Sequence, residues 1–163
     1  MAGPRAESQA EVMGRHDHPD VLGGQRLTVS VVTPRGAILA RQVDEVTGPG
    51  ASGDFGVLPG HVPFLAALRP GILSLRDGQQ RDVLAVSSGY AQVGARNHVK
   101  ILVENAQSAD EIDIADARRS FDQASEELKS GKTGGELRTL QAQLDWARAR
   151  IEAHGLSRGK VQA

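Results

Sequence analysis

Residues 47–61, TGPGASGDFGVLPGH, spell G-x-G-x-x-G at Gly48, Gly50 and Gly53, directly after the strand-like VDEV of residues 43–46. A dinucleotide-binding loop with this spelling runs straight into a helix, whose amino end faces the pyrophosphate. Here the following DFGVLPGHVP carries Pro59, Gly60 and Pro63, which cannot form that helix. No β-α-β unit surrounds it. The match is accidental, as a bare glycine pattern often is. Glycine permits close backbone approach and proline stiffens the path. The stretch therefore reads as a rigid, exposed loop able to dock on a partner, and its flanks must supply the fold.

On both sides the pattern has period two. LTVSV, residues 27–31, alternates Leu27, Val29 and Val31 with Thr28 and Ser30, as a half-buried strand does. Pro34, Arg35 and Gly36 make a turn, and AILARQVDEVT returns as one longer strand. GILSL and RDVLAVS flank Asp77-Gly78, a hairpin signal, and YAQV and HVKILVE flank a turn at residues 94–97. Many short strands at this spacing predict a β-sandwich or barrel.

After Asn105 the period changes. Ile114, Ala117, Phe121, Ala124 and Leu128 form one helical seam, and Leu137, Leu140, Leu144, Ala147 and Ile151 form a second. Capping boxes are expected at Ser108 with Glu111 and at Thr133 with Glu136. Gly131 and Gly155 stand where a left-handed residue would end each helix. The short link makes the helices antiparallel neighbours. A further stripe, Ala142, Trp146, Ala149 and Ala153, lies off the seam and needs another surface, either the chain's own sandwich or a partner protein.

The predicted fold class is thus α+β: a β-sandwich over residues 26–105, then a helical hairpin with a short tail over 106–163, preceded by a disordered tail at 1–25. The 163 residues carry a formal net charge of −1, so no basic excess points to nucleic acid. No apolar run approaches the ~18 residues of a membrane span, and residues 1–25 lack the apolar core of a secretory signal. With no cysteine and 3% aromatic residues, the core must come from Val, Leu, Ile and Ala. His16-Asp17-His18 could touch a metal, but three such residues on a tail make no closed site. SGKTGG, residues 130–135, mimics a P-loop, yet Glu126 stands where the motif needs glycine and a helix precedes it. No G-x-S-x-G elbow accompanies Ser87 and Ser88, and His61, His98 and His154 stand apart. No catalytic, cofactor-binding or metal-binding residue is assigned.

GDFGVLPGHVPFLAALRPG, residues 53–71, closely resembles the signature of the epsilon subunit of F-type ATP synthases. VSSGYAQV and VKILVENAQSADEIDIADA resemble that family's later strands and first helix, and the likeness runs over about residues 26–153. The resemblance implies a non-catalytic rotor part of the central stalk, peripheral at the cytoplasmic face of the bacterial inner membrane. Its implied partners are the gamma subunit, the ring of c subunits and, through the helices, the alpha and beta subunits. It implies that Asp54 faces the ring, with Phe55 and His61 in the same interface and Trp146 on the surface that moves. It also implies coupling of proton flow to ATP synthesis and restraint of ATP hydrolysis by the raised helices. An alternative role is an ATP-responsive sensor, because some members bind ATP through I/L-D-x-x-R-A. Residues 112–117, IDIADA, match except that Asp116 replaces the arginine, and a carboxylate there repels phosphate.

Overall fold

Alternation in sequence becomes alternation in burial. In the computed structural model, which describes residues 25–158, β1 (Leu27–Thr33) buries Leu27, Val29 and Val31 completely and turns Thr28 and Ser30 outward. The expectations for the tail before Gln25, including His16-Asp17-His18, fall outside the described residues. Nine further strands follow: β2 (Gly36–Val43), β3 (Glu45–Gly48), β4 (Phe55–Val57), β5 (Phe64–Leu68), β6 (Gly71–Asp77), β7 (Gln80–Val86), β8 (Gly89–Val93), β9 (His98–Val103) and β10 (Ala106–Ser108). They form two five-stranded sheets, ordered β2-β1-β9-β8-β5 and β10-β7-β6-β3-β4. All pairs are antiparallel except β1 with β9, which run parallel with Val29 opposite Val99. The inner faces enclose one core of Leu, Val and Ile, including Val43, Val46, Leu73, Leu75, Val86 and Ile101. This is the predicted sandwich, and the two helices that follow it complete the predicted α+β class.

The expected long strand over AILARQVDEVT is in fact two strands in different sheets. Asp44 sits at the break. Its amide donates to the Arg76 carbonyl (2.8 Å) and its carboxylate accepts from the Gly78 amide (2.7 Å), so the chain is pulled across from one sheet to the other. Val43 ends β2 and Val46 begins the buried face of β3 without losing the core. The hairpin near Asp77 turns at Gly78 and Gln79, because Asp77 still pairs with Gln80 and Gly78 takes φ +59°. Strands β4 and β5 had no distinct sequence signal, because β4 is three residues with Gly56 at its centre and β5, FLAAL, is apolar throughout and shows no alternation.

The helices are α1 (Ile114–Lys129) and α2 (Gly134–Arg158). Gly131 takes φ +78° just past α1, as a helix-ending glycine should. The expected box at Ser108 does not cap α1. Residues Ala109–Glu111 form a single 3-10 turn and Ser108 makes no side-chain cap bond; Asp113 is the cap, accepting from the Asp116 amide at 3.1 Å. The cause is Ile112, which stays extended so that its side chain can be buried. Thr133 immediately precedes α2, but Gly134 between it and the rest of the helix holds a left-handed φ of +62°. Gly155 does not end α2, which continues to Arg158; the last turn is tied down by Ser157, whose hydroxyl bonds the Asp110 carboxylate.

Candidate functional site

The glycine loop is folded for contact with itself. A Cβ on Gly50 would lie 2.4 Å from the Gly53 carbonyl oxygen, and one on Gly48 would lie 2.7 Å from the Phe55 ring. Only glycine lets the backbone close this tightly. The Gly53 amide donates to the Gly50 carbonyl (3.1 Å), while Ala51 and Arg69 stitch the loop to β5 through bonds to Ala67 and Pro49. No helix follows, so the loop presents no row of free amides to a phosphate.

β4 and β5 are edge strands of the two sheets, and Phe55 and Phe64 join them with rings 5.6 Å apart, edge to face. His61 continues the row, 5.0 Å from Phe64. The structure therefore brings Phe55 and His61 to one edge of the sandwich. Asp54 sits at the head of this edge, 71% exposed, and accepts a 2.6 Å bond from Arg69. Such an exposed pair contributes at most about 1 kcal/mol, so the Asp54 carboxylate is free to change partners. Leu58 and Val62 beside His61 are exposed, the latter at 70%. The 58–61 turn is braced by Asn97, which accepts from the Gly60 amide at 2.7 Å. Arg96 and Asn97 both hold left-handed φ near 60°, which Asn tolerates best among non-glycine residues.

The outer faces of the two sheets differ. On the first sheet, β5, β8, β9 and β1 line up Ala67, Tyr90, Leu102 and Val32 on one face. Leu65 and Tyr90 are more than half exposed, and a cleft of 380 Å³ opens beside Tyr90 and Leu102. On the second sheet, the hairpin covers β6 and β7. Val83, Ala85 and Ile72 meet Trp146, Ala149 and Ala153 of α2, together with Ala109, Ile112 and Ala117. Trp146 is thus packed on the chain's own sandwich. Ala142 of the expected stripe is exposed, because the contact with the sheet begins only at Trp146.

This second cluster is rich in alanine where the first is Leu, Val and Ile, so its burial contributes only a few kcal/mol at ~25 cal/mol per Å². A polar group reinforces it. Arg150 is 9% exposed, donates to Asp116 of α1 at 2.8 Å and donates to Gln107 of β10 at 3.0 Å. Its guanidinium holds the Asp116 carboxyl below the usual carboxylate range, with a smaller contribution from Arg119. Sequence reasoning missed Arg150, Arg69 and Gln107. The signal for Arg150 was a charge next to the Ala149 stripe, which reads as solvent-facing until the third element, β10, is placed.

Comparison with known proteins accounts for this architecture. Residues 26–109 match the family description "ATP synthase, Delta/Epsilon chain, beta-sandwich domain", and residues 110–155 match "ATP synthase, Delta/Epsilon chain, long alpha-helix domain". An ATP synthase epsilon chain of Syntrophotalea carbinolica is 40% identical over 132 residues, spanning 80% of this chain and 95% of that one. One of Geobacter metallireducens is 41% identical over 137 residues, spanning 83% and 99%. The chain belongs to the ATP synthase delta/epsilon family, and these curated relatives are epsilon chains. A chain in the cryo-EM structure of the Euglena gracilis mitochondrial ATP synthase, OSCP/F1/c-ring in rotational state 1, shares the fold. Its TM-score is 0.66 at 23% identity, over 94% of this chain and 99% of that one. Among the described residues, no helix is long and apolar enough to cross a membrane.

Proposed function

We propose that the chain works as a non-catalytic rotor subunit of the central stalk, binding the gamma subunit and the c ring and restraining ATP hydrolysis through its helices. The carrying observation is the division of the sandwich into one covered and two open surfaces. The uncovered sheet exposes the apolar side chains Leu65, Tyr90 and Leu102 with a cleft beside the last two, next to Gln92 and Lys100 on the same face, and suits a protein partner held for the life of the complex; gamma is its occupant. The β4–β5 edge with Asp54, Phe55 and His61 is stiff, and carries an exchangeable carboxylate; it is the foot on the ring. A rigid foot with few charges gives orientation more than raw affinity. The hairpin lies on the third surface through a shallow alanine contact. A contact of a few kcal/mol can be reversed by a better partner, here gamma with alpha and beta. In this reading the site sits on the cytoplasmic face of the inner membrane and serves proton-coupled ATP synthesis without a cofactor.

The test is co-purification from solubilised membranes, read for gamma and c subunits. Tyr90→Glu places a charge on the apolar face and is expected to lose gamma. Asp54→Lys is expected to keep gamma while loosening the stalk from the ring and lowering coupled proton pumping. Retention of both partners and full coupling in both variants would refute the assignment of the two surfaces.

A further inference from the structure

The hairpin is held to the sandwich by more than its alanines, and the extra hold passes through one side chain. Arg150 projects from α2 between two other elements. On one side its Nη2 donates to Asp116 of α1; on the other its Nε donates to Gln107 of β10. Gln107 is itself oriented, its amide nitrogen donating to the Glu111 carbonyl at 3.3 Å. The arrangement differs from the ordinary surface pairs of the same helices. Lys129 and Glu126 are each more than 70% exposed, whereas the Arg150 side chain is 10% exposed. A guanidinium so far from water needs its acceptors, because an unpaired buried charge is strongly unfavourable.

We propose that Arg150 is a two-sided clasp that makes parting of the helices and release from the sandwich a single event, with no bound nucleotide required. This rests on the reading of the hairpin as a movable arm. Lifting α2 from the sheet removes the Gln107 acceptor, and drawing α1 away removes Asp116. Each acceptor fixes the guanidinium in the position the other needs, so losing one bond weakens the other and each motion promotes the other. The nucleotide-free character follows from the same atoms. Asp116 already engages both Arg150 and Arg119, at 2.8 and 3.5 Å, so these two guanidiniums near the start of α1 are held by a carboxylate of the chain itself.

Because the sequence has no cysteine, a single introduced thiol reports opening cleanly. Ala149→Cys, at a position 3% exposed against the sandwich, reports undocking; Ala124→Cys, also 3% exposed, reports parting of the helical seam; Val31→Cys, at 0%, controls for unfolding of the sandwich. Labelling rates would be measured on the full-length isolated chain. Gln107→Leu removes the sandwich-side acceptor, together with the bond to the Glu111 carbonyl, and Asp116→Ala removes the α1-side acceptor, together with the exposed Arg119 pair. Each is expected to raise labelling at both position 149 and position 124 about tenfold, as loss of a hydrogen bond to a charged group does, without changing position 31. Magnesium-ATP is expected to leave all rates unchanged. If Gln107→Leu exposes only position 149, or Asp116→Ala only position 124, the two bonds act independently and the clasp is refuted. Unchanged rates in both variants refute it too, and slowing by ATP refutes its independence from nucleotide. Fast labelling of position 149 in the otherwise unsubstituted chain would remove the docked arm itself. Coupled opening with unaltered ATP hydrolysis in membranes would instead sink only the restraining role.

Discussion

Gly50→Ala isolates what the glycine loop is for. Gly50 is not among the glycines with positive φ, so an alanine there meets no dihedral penalty and the whole effect is contact. Its Cβ would stand 2.4 Å from the Gly53 carbonyl oxygen and 3.3 Å from the Phe55 ring. Relief requires the loop to open by on the order of 1 Å. That movement breaks the turn bond from Gly53 to Gly50 and disturbs the bridge from Gly50 to Leu68. Two weakened backbone bonds at about 1 kcal/mol each give a loss of about 2 kcal/mol. Gly56→Ala is the comparison: it sits on β4 of the same edge, and its Cβ would meet only the Thr47 methyl at 3.8 Å, an ordinary contact. Urea denaturation of both variants, with the midpoint converted through an unchanged slope, measures the difference. Stabilities within 0.5 kcal/mol of each other, against the expected gap of about 2 kcal/mol, would refute the claim that the glycines serve close backbone packing.

Three further outcomes are expected. Calorimetry with NAD(H) should show no saturable heat, because no helix follows Gly53; binding abolished by Gly50→Val would restore the dinucleotide reading. Ending the chain after Ala109 spares β10 and should leave a folded sandwich that still binds gamma, while membranes bearing it hydrolyse ATP faster; hydrolysis at the intact level would make the helices a structural appendage. Asp116 titrates below its unfolded value because Arg150 bonds its charged form, so its contribution is present above the unfolded value near pH 4 and is lost as pH falls through the lower folded one. Trp146 emission followed from pH 6 downward should stay constant until that range and then shift, whereas a shift centred at pH 6 would show that a histidine controls docking instead.

What the sequence made legible was periodicity. Leu27, Val29 and Val31 declared a strand, and the seam from Ile114 to Leu128 declared a helix, because burial repeats with the geometry of each element. Local chemistry was less decisive where packing competed with it. Ser108 carries a good capping pattern, but Ile112 has to reach the alanine cluster, and that burial moves the start of α1 to Asp113. Gly155 looks like a stop, but a bond from Ser157 to Asp110 carries the helix past it. The long strand through Asp44 could not be divided by alternation alone, since both halves keep the same inward rhythm while changing sheets. Of the β4–β5 edge, the sequence singled out Asp54, Phe55 and His61. Its ring row and the Arg69 partner arise from a three-residue strand, a continuous apolar strand and the loops beside them, none of which shows a period. Arg150 was invisible because its two acceptors come from elements 34 and 43 residues away.

The parallel pairing of β1 with β9 bears on how the molecule is made. β1 lies inside its sheet, flanked by β2, which is next in the chain, and by β9, whose residues come some seventy positions later, as Thr28 opposite His98 shows. The first hairpin can form early, but one long side of β1 stays unsatisfied until nearly the whole sandwich has left the ribosome. Non-local closure of this kind slows folding and leaves an open strand edge in the meantime. The helices follow every strand of both sheets, β10 included, so β6 and β7, on which they rest, have all their neighbours synthesised before the helices emerge. The arm is therefore the last part to be built and rests on a surface that does not depend on it.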